Sequence, residues 1–329
     1  MDTSNKVIID WVSISSPYFD FAGMIELLGM SDCNFSDTYG MHGYRFRKTF
    51  DGVNIHYGGN VEKNPGVWLE MSGQGCRTFE TYGNGDFRLL FELCLAEPKN
   101  HLTRLDIACD VFDKSLDIDT MIDYAQQGNL VTKFRTGDVE RGILANNGKC
   151  LVFGSRSSEL LLRIYDKKAE RKRDDIDSWL RLELQMRDDQ ALSFVLNLKD
   201  ETLEKTVTTN YFNLLNSYIR FVKPGTDSNK RRWKTCQWWQ DFIQSAGNYE
   251  LIKPGAEYNL MKLRNYVVRQ SGQAVKSYIK LVGLDQYVND LNEEIYTPNA
   301  KYVSLGVNVN EKIGYDDAVL HQSNIENRS

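Results

Sequence analysis

A chain of 329 residues can hold two domains, or one large domain with an appendage, and can bury a core without disulfide staples. Its 41% apolar and 26% charged residues, with 24 Gly and 6 Pro, exclude a disordered or fibrous chain. At whole-chain scale the formal net charge of -5 argues against a nucleic-acid partner, because such proteins usually carry a basic balance.

In chain order, residues 7–15 alternate with period two and read as a strand stopped by Ser16 and Pro17. Residues 44–50 and 53–57 flank Asp51-Gly52, a strong two-residue hairpin signal. A short strand at 67–72 runs into Gly73-Gln-Gly75, and 87–96 repeats apolar residues at helical spacing until Pro98. Residues 103–112 form a two-sided strand: Leu105, Ile107, Cys109 and Val111 face one way, and Arg104, Asp106, Ala108 and Asp110 the other. A helix opens at Asp117 with acidic residues suited to a helix N-terminus and ends at Gly128. Further strands are expected near 130–136, 150–154, 160–167 and 179–187, the last again two-sided.

After Asp188 the pattern changes to helical spacing over 189–222 and 256–290, with a Lys/Arg/Trp-rich stretch between them. The fold class expected is α+β: an antiparallel sheet with helices on one face, then a C-terminal helical module. The division expected is a catalytic sheet domain over 1–195, a helical DNA-binding or accessory module over 196–298, and a loose tail over 299–329. No apolar run reaches the roughly 18 residues of a membrane span. The N-terminus lacks the charged-then-apolar pattern of a signal segment. The six cysteines form no CxxC pair, which reads as reduced, mostly buried thiols in a cytoplasmic protein.

The polar sides of four strands carry an unusual set. Glu70 lies between Trp68 and Ser72; Asp106 between Arg104 and Ala108; Tyr165 between Arg163 and Lys167; Glu183 between Arg181 and Gln185. If these strands are neighbours, three carboxylates, a tyrosine and several cations share one face. The carboxylates can hold a hard divalent cation, and the cations can hold phosphate oxygens. A phenol of ordinary pKa about 10 is a poor nucleophile unless a cation or metal activates it, and phosphodiester transfer to tyrosine is the chemistry this set suits. The plainer alternative is a structural tyrosine beside ordinary ion pairs.

Thr103-Arg-Leu-Asp-Ile-Ala-Cys-Asp110, Leu162-Arg-Ile-Tyr-Asp-Lys-Lys-Ala-Glu170 and Arg181-Leu-Glu-Leu184 resemble, in order and spacing, the core motifs of the replication initiation factor family. That family includes tyrosine initiators of rolling-circle plasmids and the related relaxases of integrative and conjugative elements. The segments at 67–77, 154–158 and 232–242 look closest to the relaxase branch, and the likeness covers roughly residues 7–245.

The resemblance implies a fold similar to the His-hydrophobic-His nicking enzymes without their paired histidines. It implies nicking of one strand at an origin through a 5′-phosphotyrosine, then rejoining. Tyr165 falls on the nucleophile, with Arg163 and Lys167 beside it to offset charge. Asp106 and Glu183 fall on positions read as metal ligands or proton acceptors, with Glu70 as a third ligand for Mg²⁺ or Mn²⁺. His101 lies near a motif, and Asp10 sits in a family-like first strand where a structural role is as good a reading. The implied partners are origin DNA, as a single-stranded nick region with flanking duplex, and a host helicase; a homodimer stays open and no membrane is involved. The competing reading is a non-enzymatic origin-binding or regulatory protein on the same scaffold.

Local charge decides where DNA would bind. Lys168, Arg171 and Lys172 follow the tyrosine, with Arg181 on the next strand. Lys230, Arg231, Arg232 and Lys234 lead into Trp233, and mixing cations with aromatics suits backbone contact and base stacking. Trp238 and Trp239 read equally as core anchors. Lys262, Arg264, Arg269, Lys276 and Lys280 can line a further basic helical face.

Overall fold

The computed structural model describes residues 4–59, 65–97, 99–141, 148–198, 202–245, 263, 267–268, 271–296 and 310–313. Its strands are β1 (Lys6–Ser16), β2 (Ser36–Tyr39), β3 (Phe46–Phe50), β4 (Val53–Tyr57), β5 (Val67–Met71), β6 (His101–Val111), β7 (Leu130–Thr132), β8 (Gly137–Arg141), β9 (Lys149–Phe153), β10 (Leu160–Asp166), β11 (Leu180–Arg187) and β12 (Ile219–Phe221). Its helices are α1 (Phe21–Leu27), α2 (Gly73–Tyr82), α3 (Phe87–Ala96), α4 (Ile118–Gln126), α5 (Lys167–Arg171), α6 (Asp188–Leu196), α7 (Leu203–Tyr218), α8 (Gln237–Gln244), α9 (Gly272–Val282) and α10 (Leu284–Glu293).

Ten strands form one antiparallel sheet in the order β2-β3-β4-β5-β1-β6-β11-β10-β9-β8. The expected α+β class is what the chain adopts. The β3–β4 hairpin closes where expected, because Asp51 and Gly52 both take positive φ (39° and 90°), as a tight primed turn requires. Asp86 and Asp117 start α3 and α4 by accepting from the amides of Leu89 and Thr120.

The apolar side of β6 enters the core as its alternation predicts. Leu105, Ile107, Cys109 and Val111 are buried with Leu182, Leu184 and Met186 of β11 and Leu162 and Ile164 of β10. Burying a side chain of this size contributes about 1.5–3 kcal/mol, so a one-residue slip that turned this face outward would be prohibitive.

The division at residue 195 does not hold. The chain forms one unit over Met1–Ala256 and a second over Glu257–Ser329. The cause is α7, which buries Val207, Tyr211, Phe212 and Leu215 in the sheet's core and donates the Tyr211 hydroxyl to the Leu182 carbonyl at 2.9 Å. The helical spacing over 189–222 covers two helices and a strand: β12 pairs with β7 in a separate two-stranded sheet, so β7 is not part of the main one. In the second unit α9 and α10 meet through Tyr278, whose ring packs edge-on against Tyr287 and whose hydroxyl donates to Asp290. The expected tail over 299–329 lies outside the described residues except for 310–313.

No described helix is long and apolar enough to cross a membrane. All six cysteines are free thiols.

Candidate active site on the sheet face

Three adjacent central strands bring the predicted residues together. Register pairs Arg163 with Glu183, Tyr165 with Arg181, Asp106 with Gln185 and Asp110 with Arg181. Side chains two residues apart on a strand share a face. Tyr165, Arg163, Glu183, Gln185, Asp106 and Arg181 therefore occupy one side of β10, β11 and β6. The chain turns immediately after the tyrosine, because Asp166 caps α5 by accepting from the Ala169 amide. That turn brings Lys167 back over the Tyr165 ring at 5.2 Å.

The Tyr165 hydroxyl donates to Glu183 Oε2 at 2.8 Å and accepts from Lys167 Nζ at 3.3 Å. Arg163 pairs with the other oxygen of Glu183, and Lys167 also pairs with Glu170. Burial, then the charge of Glu183, push the Tyr165 phenol well above its ordinary value. Burial also works against the ionised form of Glu183, but Arg163, Arg181 and the tyrosine hydrogen bond outweigh it and hold the carboxyl below its usual value. Burial and the nearby Arg181 charge lower the Lys167 ammonium, against the opposing effect of Glu170. The result is a neutral phenol aimed at an ionised carboxylate, with two cations alongside.

Asp106 is almost fully buried, takes a bidentate pair from Arg104 (2.9 and 2.6 Å), and is pushed by burial up to about 7 despite that arginine. Beside it Gln185 is also buried, and its amide nitrogen has no partner. Sequence reasoning noted Gln185 and Arg104 only as neighbours of the acidic residues; their roles appear once strand pairing is fixed.

Two expected assignments need correction. Arg181 is not a DNA contact. It is 4% exposed, with Nε and Nη2 on Asp110 (2.7 and 2.8 Å) and Nη1 on Asp10 at 2.9 Å. Asp10 lies at an irregularity of β1 between Ile9 and Trp11, with Arg77 of α2 at 3.8 Å, and its role is to hold Arg181. Glu70 is the second. It stands on β5, three strand spacings or about 14 Å from β11, and its charged neighbours are His42, Arg104 and Arg47. The described residues contain no group of three or more His, Cys, Asp or Glu that can hold a metal.

A divalent cation fits a smaller oxygen set than expected. Both Glu183 oxygens are engaged by Arg163 and Tyr165, and both Asp106 oxygens by Arg104 alone, so Asp106 with the neighbouring amide oxygen of Gln185 is the set a cation would take only by displacing that arginine. Mg²⁺ and Mn²⁺ accept one or two protein oxygens when substrate phosphate supplies others.

The basic clusters are placed unevenly. Arg171 and Lys172 are exposed on and just past α5, and Lys168 is half-buried. Lys230–Arg232 form a 3-10 turn in which Lys230 donates to the Gly128 carbonyl (2.7 Å) and Arg232 pairs with Asp227 at 3.3 Å. Arg231 and Lys234 are exposed. Trp233 is half-buried, donates to the Asp227 carbonyl at 2.6 Å and carries Lys230 over its ring. Trp239 is fully buried and Trp238 packs on Tyr124 and Phe221, so these two anchor the core. His101 pairs with Asp188, away from Tyr165. Lys276 and Lys280 are exposed on α9, whereas Lys262, Arg264 and Arg269 lie outside the described residues.

The model of a family described as replication initiation factor matches residues 100–292. That of the rolling circle replication initiation protein N-terminal domain matches residues 6–93. The chain is 27% identical over 292 residues to the protein of Bacillus subtilis (strain 168) named as DNA relaxase NicK, covering 83% of this chain and 80% of that one. It also resembles the structure of a rolling circle replication initiator protein from Geobacillus stearothermophilus, with a TM-score of 0.69, 28% identity, and coverage of 76% of this chain and 99% of that chain.

Proposed function

Because this chain belongs to the replication initiation factor family, whose model spans residues 100–292, we propose that it is a site-specific, metal-dependent DNA nicking and rejoining enzyme with Tyr165 as nucleophile. One observation carries the assignment: the Tyr165 hydroxyl donates at 2.8 Å to a carboxylate that arginine keeps ionised.

In the nicking step the Tyr165 oxygen attacks the scissile phosphorus and its proton passes to Glu183 Oε2. The bond from phosphorus to the 3′ oxygen breaks and that oxygen takes a proton from solvent, leaving a free 3′-hydroxyl and a 5′-phosphotyrosine. Arg163 and Lys167 offset the charge that grows on the non-bridging oxygens. Proton transfer concurrent with attack suits a phenol whose pKa is raised, because free phenolate would be scarce at neutral pH. Rejoining reverses the steps, with Glu183 returning the proton. Asp106 and the Gln185 amide oxygen would hold Mg²⁺ or Mn²⁺, which when bound polarises the phosphate as a Lewis acid. Asp110, Asp10 and Arg77 position Arg181 beneath this group.

Origin DNA is the substrate in this reading. Arg171, Lys172, Arg231 and Lys234 meet phosphates through their exposed charges, with the half-buried Lys168 beside the first two. A nicked, protein-bound strand has to be unwound before it is copied or transferred, so a helicase is the partner the product calls for. Six free thiols accord with a cytoplasmic setting. The segments at 67–77, 154–158 and 232–242 are what favour the relaxase branch, since identity to the relaxase (27%) and to the initiator (28%) is even.

The test is Tyr165→Phe incubated with 3′-end-labelled origin DNA and Mg²⁺ or Mn²⁺. The variant should bind DNA yet give no labelled protein on a denaturing gel; adduct at wild-type level would end the assignment.

A further inference from the structure

The face that carries Tyr165 continues across the other half of the sheet. One register row runs from Arg187 through Arg104, Ser13, Glu70 and Asn54 to Thr49, and a second from Ser15 through Trp68 and His56 to Arg47. Along this face lie Arg163 Nε, Gln185 Nε2, Arg187 Nε, His56 Nε2 and Arg47 Nε, five of the nine buried side-chain polar atoms without a partner among the described residues. Each is a donor. His56 Nδ1 accepts from the Met41 amide, and burial lowers this imidazole to about 4, so the neutral ring carries its hydrogen on Nε2. Leaving a buried donor unmet is costly, and such atoms normally find partners. A face on which such arginine, histidine and amide donors recur suits a partner rich in acceptors.

Aromatic surface is interleaved with the donors. Trp68 is part-exposed, stacks on His56 at 4.6 Å, and is flanked by Tyr44 and the exposed His42. Trp11 lies under the Arg104 guanidinium at 4.0 Å. Three acids along this face do not oppose an anion strongly: Glu183 is paired with Arg163, Asp106 with Arg104, and burial shifts Glu70 toward its neutral form.

We propose that this strip, from Arg163 to Arg47, is a second DNA-binding surface: a track for the single strand flanking the scissile phosphate, with the half-buried Arg47 and Arg187 guanidinium groups on phosphate oxygens and Trp68 as a base-stacking platform. The inference rests on the nicking activity proposed above. From β10 to β3 the track crosses six strand spacings, about 29 Å, which is several nucleotides of extended strand. A single strand can turn phosphates and bases together toward one floor, whereas a duplex keeps its bases inside. Stacking of this kind tolerates any sequence.

The test uses the full chain carrying Tyr165→Phe, in chelator, with fluorescent oligothymidylate of about 20 nucleotides and a matched duplex. Adding Arg47→Gln with Arg187→Gln should weaken single-strand binding by roughly tenfold and lower its log–log salt slope by about 1.4, while duplex affinity stays within about twofold. Trp68→Ala should cost at least about fivefold on the single strand. Single-strand affinities unchanged within about twofold in folded variants would overturn the track, and equal losses on duplex would reassign it to double-stranded DNA. If a variant does not fold, photocrosslinking of the parent Tyr165→Phe chain to bromodeoxyuridine-substituted oligothymidylate decides. Crosslinks within residues 42–57 or 67–72 support the track, and crosslinks confined to 167–173 and 230–239 overturn it. Adduct formation by the wild-type chain is scored separately, so loss of the tyrosine assignment and loss of the track read differently.

Discussion

Replacing Asp106 by Asn should make the protein more stable at alkaline pH while abolishing its chemistry. Asp106 is 2% exposed and burial pushes its carboxyl from the ordinary 3.8 up to about 7. The folded state therefore holds the proton more tightly than the unfolded chain does. Stability associated with this group is intact below about pH 4 and declines as pH rises to about 7. The full span corresponds to about 4 kcal/mol, most of it between pH 5 and pH 8. Asn has the same shape and no charge to bury, and Arg104, which it leaves behind, still stacks on Trp11. Urea denaturation of both proteins in chelator at pH 5 and pH 8 measures the effect. The stability of Asp106→Asn relative to wild type should rise by about 2–3 kcal/mol between those pH values. A difference independent of pH would refute the burial argument. Added Mg²⁺ or Mn²⁺ should stabilise the wild type at pH 8 and leave Asp106→Asn unmoved.

Arg181→Met should lose about 3–5 kcal/mol by denaturation, because it strands Asp110 in a site where that carboxylate is 1% exposed. A loss under about 1 kcal/mol would mean that the pair is not structural. Gly66→Ala should destabilise by more than about 1 kcal/mol: its φ is +59°, and an added Cβ would stand 2.0 Å from the Ser16 carbonyl oxygen, where only backbone movement makes room. Arg231→Gln with Lys234→Gln should reduce the salt slope of duplex binding by up to about 0.9 per charge removed, measured by anisotropy titration across salt concentrations. An unchanged slope would take this turn off the DNA.

Part of the site was legible because its information is local. The alternation of β6 told which side of Asp106 faces away from the core, Asp51-Gly52 announced its hairpin, and the residues around Tyr165 and Glu183 carry family-like motifs. The negative total charge misled only at its own scale, since exposed cations are gathered on α5 and the turn around Lys230. Other features were beyond one-dimensional reading. Arg181 and Arg163 occupy equivalent places on two-sided strands, yet one is locked between Asp110 and Asp10 while the other reaches Glu183 beside the tyrosine.

The sequence by itself determined the central strands, their two faces and the residue types that suit phosphodiester transfer to tyrosine. Tertiary structure alone decided which of them meet. Strand β1 lies between β5 and β6, and β11 between β6 and β10, pairings that join residues as much as 104 positions apart (Lys6 beside Asp110) and that follow from burial of a common apolar face rather than from any local pattern. Those long-range pairings separated Glu70 from the group around Tyr165, buried Arg181 and aligned the unmet donors toward Arg47.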